Sequence, residues 1–143
     1  GTRVLLEGPY GVFTADQAAG RKVVLFAGGV GIGPIRAILE DCRPEQEPIV
    51  VVRVHDHADV AHRTELERLV ATRNGSLHVL AGPRAWFASS DPFSAATLKA
   101  WIPDLAHRHA FICGPRSLES AIITGLRKAG MPTGHIHHEQ FGV

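Results

Sequence analysis

The stretch Lys22-Val23-Val24-Leu25-Phe26-Ala27-Gly28-Gly29-Val30-Gly31-Ile32-Gly33-Pro34 decides the fold. Lys22–Ala27 is a continuous apolar run after its first residue, too short for a globular helix and without the alternation of a half-wet strand. Such a run suits a strand buried on both faces, as in a parallel sheet. Four glycines within residues 28–33 then free the backbone. Pro34 falls in the first turn of a helix predicted through Cys42, where a missing N–H costs nothing. Strand, glycine turn and helix together present main-chain N–H groups and a helix dipole to an anion. The turn therefore predicts a phosphate site at Gly28, Gly29, Val30, Gly31, Ile32, Gly33 and Pro34. A glycine-rich turn that holds nothing is the plain alternative.

The same alternation continues along the chain. Ile49–Val54 (IVVVRV) reads as a second buried strand. Arg63–Arg73 reads as a helix with Leu66, Leu69 and Val70 on one face, ended by Asn74-Gly75. Leu77–Ala81 is a third strand, and Ser94 caps a short helix through Trp101. Ala110–Cys113 is a fourth strand. Pro115 opens a helix with the stripe Leu118, Ile122, Ile123, Leu126, stopped by Gly130 and Pro132. Ile136–Phe141 is the last strand. Ahead of all this, Arg3–Glu7 reads as a short strand closed by the turn Gly8-Pro9-Tyr10-Gly11. The expected fold is α/β: a Rossmann-like three-layer domain with a central five-stranded parallel sheet and helices on both faces. Ligands of such sheets sit beyond the carboxyl ends of the strands, where strand order reverses.

At 143 residues the chain is the size of one domain. With 15 Lys+Arg against 14 Asp+Glu the net charge is +1, which leaves no electrostatic footprint for nucleic acid. Two cysteines, Cys42 and Cys113, are too few for a disulfide framework or a four-cysteine iron–sulfur cluster. They point to a reducing, cytoplasmic setting. The most apolar stretch, Val23–Ile35, is 13 residues with four glycines, against about 20 for a membrane span. Without a basic opening segment and a cleavage site, no signal peptide is expected in this stretch. Its abrupt start at Gly1-Thr2-Arg3-Val4 is expected of a piece of a larger protein, whose remainder leaves a membrane anchor open.

Two further segments follow strands. Cys113-Gly114-Pro115 places a thiol at a strand's carboxyl end, expected to face the ligand crevice, with a helix start able to lower its pKa. Taken alone it reads more readily as a small buried hydrophobe. Glu139-Gln140-Phe141 carries one carboxylate and one aromatic near the end.

In sequence, GPYG, GGVGIGP, CGP and E-x-F resemble the pyridine-nucleotide domain of the ferredoxin–NADP reductase superfamily, nearest its ferric-reductase-like and oxygenase-reductase branches. The resemblance runs from Glu7 to the end of the chain. It implies an NAD(P)H-dependent flavin oxidoreductase, of which this chain is a fragment inactive by itself. Residues 1–11 would be the end of an FAD-binding β-barrel and the hinge, and 12–143 the NAD(P)-binding domain. Gly29, Gly31 and Pro34 match the loop that holds the NAD(P)H pyrophosphate. Cys113, Gly114 and Pro115 match the segment beside the nicotinamide, and Glu139 and Phe141 the flavin–nicotinamide junction. Tyr10, with Gly8, Pro9 and Gly11, matches the turn facing the FAD. Relatives usually carry Thr, Ser or Ala at Gly33, so any hydroxyl contact there is lost. The implied partners are the FAD barrel of the same protein and an electron acceptor: ferric chelate, haem, oxygenase or ferredoxin.

The phosphate state of the nucleotide divides the signals. An acid past the glycines takes a ribose 2′-OH, and a basic residue favours a 2′-phosphate. Asp56 points to NADH. Arg53 and Arg63 point to NADPH, although Glu67 sits four residues beyond Arg63 and offers it a plain salt bridge. Arg84 and Arg116, each after Gly-Pro, are further phosphate candidates. The balance tilts to NADPH. Nine histidines include His135-x-His137-His138 and His107-x-His109, but no set has zinc spacing, and no Ser sits in a G-x-S-x-G elbow. The rival to an electron-transfer enzyme is a stand-alone nucleotide-binding or sensory module without catalysis.

Overall fold

The computed structural model of the chain describes residues 13–87 and 91–140. Five parallel strands form one sheet in the order β3-β2-β1-β4-β5. They are β1 (Val23–Gly28), β2 (Ile49–Val54), β3 (Ser76–Ala81), β4 (His109–Gly114) and β5 (Ile136–Gln140). The helices are α1 (Ile32–Asp41), α2 (Arg63–Ala71), α3 (Ala95–Trp101) and α4 (Arg116–Lys128). The α/β three-layer expectation stands. The Arg3–Glu7 strand, the turn at Gly8, Pro9, Tyr10 and Gly11, and Phe141 lie outside the described residues. No helix among the described residues is long and apolar enough to cross a membrane.

Alternation in the central strands divides the core in two. Val23, Leu25 and Ala27 of β1 pack with Phe111 and Cys113 of β4 against α1 and α2. Val24 and Phe26 pack with Ala110 and Ile112 against α3 and α4. Every residue of β1 and β4 is buried, because both faces of the sheet are covered. Phe26, Phe111 and Leu25 have essentially no exposed surface. Truncating one such side chain to Ala costs about 2–5 kcal/mol.

Local signals set the ends of the helices. Ser94 Oγ accepts the Thr97 N–H at 3.2 Å and starts α3. Asn74, at φ +54°, takes the left-handed conformation that closes the turn after α2. Arg108, nearly fully buried, braces the amino ends of the strands: it donates to the Val23 and Glu47 carbonyls at 2.7 and 2.9 Å and pairs with Asp104 at 2.8 Å.

Candidate functional site

Because β1 is flanked by β2 on one side and β4 on the other, strand order reverses between β1 and β4. The chain leaves β1 toward α1 and leaves β4 toward α4, which lie on opposite faces, so a crevice opens at that point. Ala27 and Cys113 are register partners at its base.

The two loops touch through glycines. A β-carbon on Gly31 would collide with the Cys113 carbonyl and stand 3.0 Å from the Gly114 nitrogen. One on Gly114 would lie 3.2 and 3.3 Å from the nitrogen and oxygen of Gly28. Gly29 sits at φ +54° within the tight turn Gly29–Gly31. That turn feeds α1 with no side-chain cap, which leaves the first N–H groups of a ten-residue helix for an acceptor from elsewhere. Gly33 is different: a β-carbon there meets nothing within 4 Å, so Thr, Ser or Ala would fit at this position.

From these loops a cleft of about 1020 Å³ runs across the carboxyl ends of β1, β2 and β3 and along the first turns of α4. Gly28, Gly29 and Val30 line it from β1, Arg53, Val54 and His55 from β2, and Ala85 and Phe87 from the turn after β3. Pro115, Ser117 and Leu118 line it from α4, and Asp59 and Asp91 bring carboxylates to it. Val30, 77% exposed, stands at its rim.

Arg53 builds part of this wall. Its guanidinium donates to the carbonyls of Val54, Leu80 (3.1 Å) and Gly82 (2.7 Å), and lies 4.6 Å from the Phe87 ring centroid. Burial lowers its pKa from the usual value. The group ties the ends of β2 and β3 together and presents its stacked side to the cleft.

Several sequence candidates sit elsewhere. Asp56 does not line the cleft: its Oδ1 accepts the Ala58 N–H at 2.9 Å and caps the turn His57–Asp59. Arg63 is paired with Glu67 at 3.0 Å on α2. Ile32 opens α1 and is buried in the core, and Gly33 and Pro34 follow it in the first turn of that helix. Arg116 is exposed at the start of α4. Arg84 opens the turn after β3, and its side chain lies outside the described residues, as do Tyr10 and Phe141. Asp59, Phe87, Asp91 and Ser117 were missed. The signal that could have found them is the rule that whatever follows each parallel strand borders the crevice.

Cys113 departs from expectation. It has no exposed surface, packs on the α1 side of the sheet and does not line the cleft. Burial first, then the Glu139 and Glu119 carboxylates, push its thiol up to about 12. The helix start does not lower it, because a buried thiolate beside two carboxylates is opposed by both desolvation and charge. Glu139 is its register partner on β5. On the other face His138 pairs with Glu119, a carboxylate 2% exposed in the first turn of α4. Three other histidines cluster: His109 stacks on His135, ring centres 4.1 Å apart, and its Nδ1 lies in hydrogen-bond contact with His137 Nε2 at 2.9 Å. No group that could hold a metal ion occurs among the described residues.

The oxidoreductase NAD-binding domain family matches the chain over residues 25–123. The chain is 28% identical over 150 residues to the glycine betaine monooxygenase reductase subunit of Pseudomonas aeruginosa, covering 99% of this chain and 41% of the relative. It is 31% identical over 144 residues to the ferredoxin reductase component of 3-ketosteroid-9-alpha-monooxygenase from Mycolicibacterium smegmatis, covering 99% and 39%. Among solved structures, the cytochrome P450 reductase of Amycolatopsis superposes with a TM-score of 0.69 at 18% identity, covering 89% of this chain and 39% of that one. The flavohem-like FAD/NAD-binding domain of nitric oxide dioxygenase from Vibrio cholerae superposes with a TM-score of 0.66 at 21% identity, covering 86% and 52%. The chain thus spans about two-fifths of the length of the curated relatives it matches.

Proposed function

The chain belongs to the oxidoreductase NAD-binding domain family, and from that membership we propose that it is the nicotinamide-nucleotide half of an FAD-dependent reductase. The observation that carries this is the backbone contact of Gly31 with Cys113, which joins an uncapped helix start to the cleft across β1–β3. The residues present fit a dinucleotide: the glycine cradle has no β-carbon in the way of a diphosphate, and the open amides of α1 supply donors. Arg53 and Phe87, at the ends of β2 and β3, would border an adenosine half, and Gly114 and Pro115, at the end of β4, would border a nicotinamide half.

The bound dinucleotide supplies a hydride to a flavin held by a second domain. This chain contributes placement. Gly28–Gly33 hold the diphosphate. Gly114 and Pro115 let the ring approach the end of β4. The Cys113 thiol stays protonated and gives that end a neutral, packed backing. Glu139, its neighbour on β5, carries the charge at the junction. By sequence resemblance alone, residues 1–11 would be the end of an FAD-binding barrel and the hinge, and Tyr10 and Phe141 would serve the flavin. The relatives' names, which include two monooxygenase reductase components, favour an oxygenase as acceptor over a free ferric chelate. The domain works in the cytoplasm, whether or not the parent is anchored to a membrane.

Titration of the chain with NAD⁺ and NADP⁺, followed by anaerobic addition of NADH or NADPH to the FAD-loaded parent, tests the proposal. Binding of either nucleotide and bleaching of the oxidised-flavin band are expected. A folded chain that binds neither overturns it. Binding without flavin reduction supports the sensory-module alternative.

A further inference from the structure

We propose that the cleft takes a nicotinamide dinucleotide without a 2′-phosphate, with Asp59 facing the adenosine ribose. This rests on the dinucleotide reading above and reverses the tilt toward NADPH that the sequence suggested.

Two of the cations that argued for a 2′-phosphate, Arg53 and Arg63, have other employment. The Arg53 guanidinium is shared among three backbone carbonyls and stacked on Phe87. Arg63 is on α2, held by Glu67, and does not line the cleft. What the cleft offers in their place is negative. Asp59 follows β2, the strand end at which this class of fold receives the ribose. Its Oδ2 accepts the Asp56 N–H at 3.1 Å, which fixes the carboxylate at that strand end. Asp91 adds a second carboxylate from the segment before α3, with Oδ1 accepting the Phe93 N–H at 2.9 Å. A carboxylate accepts a hydrogen bond from a ribose hydroxyl and repels a phosphate dianion in the same place. Asp56 is the ribose acid the sequence suggests, but Asp59, three residues on in the same turn, is the one that borders the cleft. Asp56 spends its side chain on the turn, and the turn delivers Asp59 to the cleft.

Calorimetric titration of this chain with NAD⁺ and NADP⁺ at low ionic strength, where charge effects are least screened, separates the outcomes. NAD⁺ is expected to bind at least tenfold tighter. Asp59→Asn keeps an acceptor for the Asp56 N–H and removes the charge. It should narrow that ratio at least threefold by improving NADP⁺, and Asp59→Asn with Asp91→Asn should narrow it further. Equal or tighter binding of NADP⁺ by the unaltered chain overturns the inference and leaves the dinucleotide reading intact. If that binding falls on Arg84→Gln, the 2′-phosphate belongs to the arginine after β3. A ratio that neither Asn variant moves also overturns it. A folded chain that binds neither nucleotide overturns the dinucleotide reading and this inference with it.

Discussion

Gly31 and Cys113 meet backbone to backbone at the point where strand order reverses, with no room for a side chain between them. The glycine loop and the end of β4 are therefore in direct main-chain contact, which would couple the proposed phosphate and nicotinamide sites.

Gly31→Val should push the loop off β4. The expected cost is about 1–3 kcal/mol of stability, as for other overpacked sites, with dinucleotide binding weakened more than tenfold. Gly33→Ala is the contrast. It has open space and lies within α1, so it should stabilise by about 0.5–1 kcal/mol and leave binding close to normal. Urea midpoints and nucleotide titrations check both. Equal losses in the two variants would contradict the contact.

The Cys113 thiol, pushed up to about 12, and the Cys42 thiol, pushed up to about 11 by burial, should both resist modification at neutral pH. Labelling by an aromatic disulfide should follow unfolding, appearing at the denaturant concentration where the fold is lost. Fast labelling of the native chain would show that the thiol at the end of β4 reaches solvent.

Stability should fall on acidification through the histidine stack. Burial first, then His135, His137 and Arg21, bring the pKa of His109 down to about 4 from its usual 6.5. Between those values the unfolded chain binds the proton and the folded chain does not. Stability is therefore full above about 6.5 and is lost progressively as pH drops toward about 4. His109→Phe keeps a ring in the stack and removes this proton, so its stability should depend less steeply on pH over that range. Denaturant unfolding at a series of pH values reads the slope.

Arg53→Lys should cost about 1–3 kcal/mol, since an ammonium cannot match a planar group that serves the carbonyls of Val54, Leu80 and Gly82 and stacks on Phe87. Loosening of the β2 and β3 ends should also weaken nucleotide binding. Thermal unfolding together with titration reports the two effects, and an unchanged melting temperature would mean the brace is unimportant.

His138→Ala leaves the buried Glu119 carboxylate without its imidazole partner, and should destabilise more than Glu119→Gln, which removes the buried charge and keeps an acceptor. A double-mutant cycle isolates the pair. A coupling near zero would show that β5 is held to α4 by apolar contacts alone.

Strand and helix order were legible because each rests on contacts within a few residues. The run Val23–Ala27, with no polar position, announced a strand covered on both sides, and Ser94, Pro115 and Gly130 marked helix ends by local hydrogen bonding. The site was only half legible. Gly28–Pro34 and Cys113–Pro115 stood out because glycine and proline report backbone demands directly. Arg53 looked like a phosphate ligand because its acceptors at Leu80 and Gly82 lie 27 and 29 residues away. Asp56 looked like the ribose acid because nothing in the residue order tells a cap from a ligand.

By itself, then, the order of residues determined which segments become strands and helices, that the sheet is parallel and buried, and that a glycine turn opens its first helix. Those outcomes follow from hydrophobic periodicity and local backbone chemistry. Only the tertiary structure decided that Cys113 points into the α1-side core with its proton held, that Arg53 is spent on carbonyls, and that Asp59 and Asp91 border the cleft. Burial, register and charge between segments far apart in the chain set those, and none of the three exists until the strands have paired.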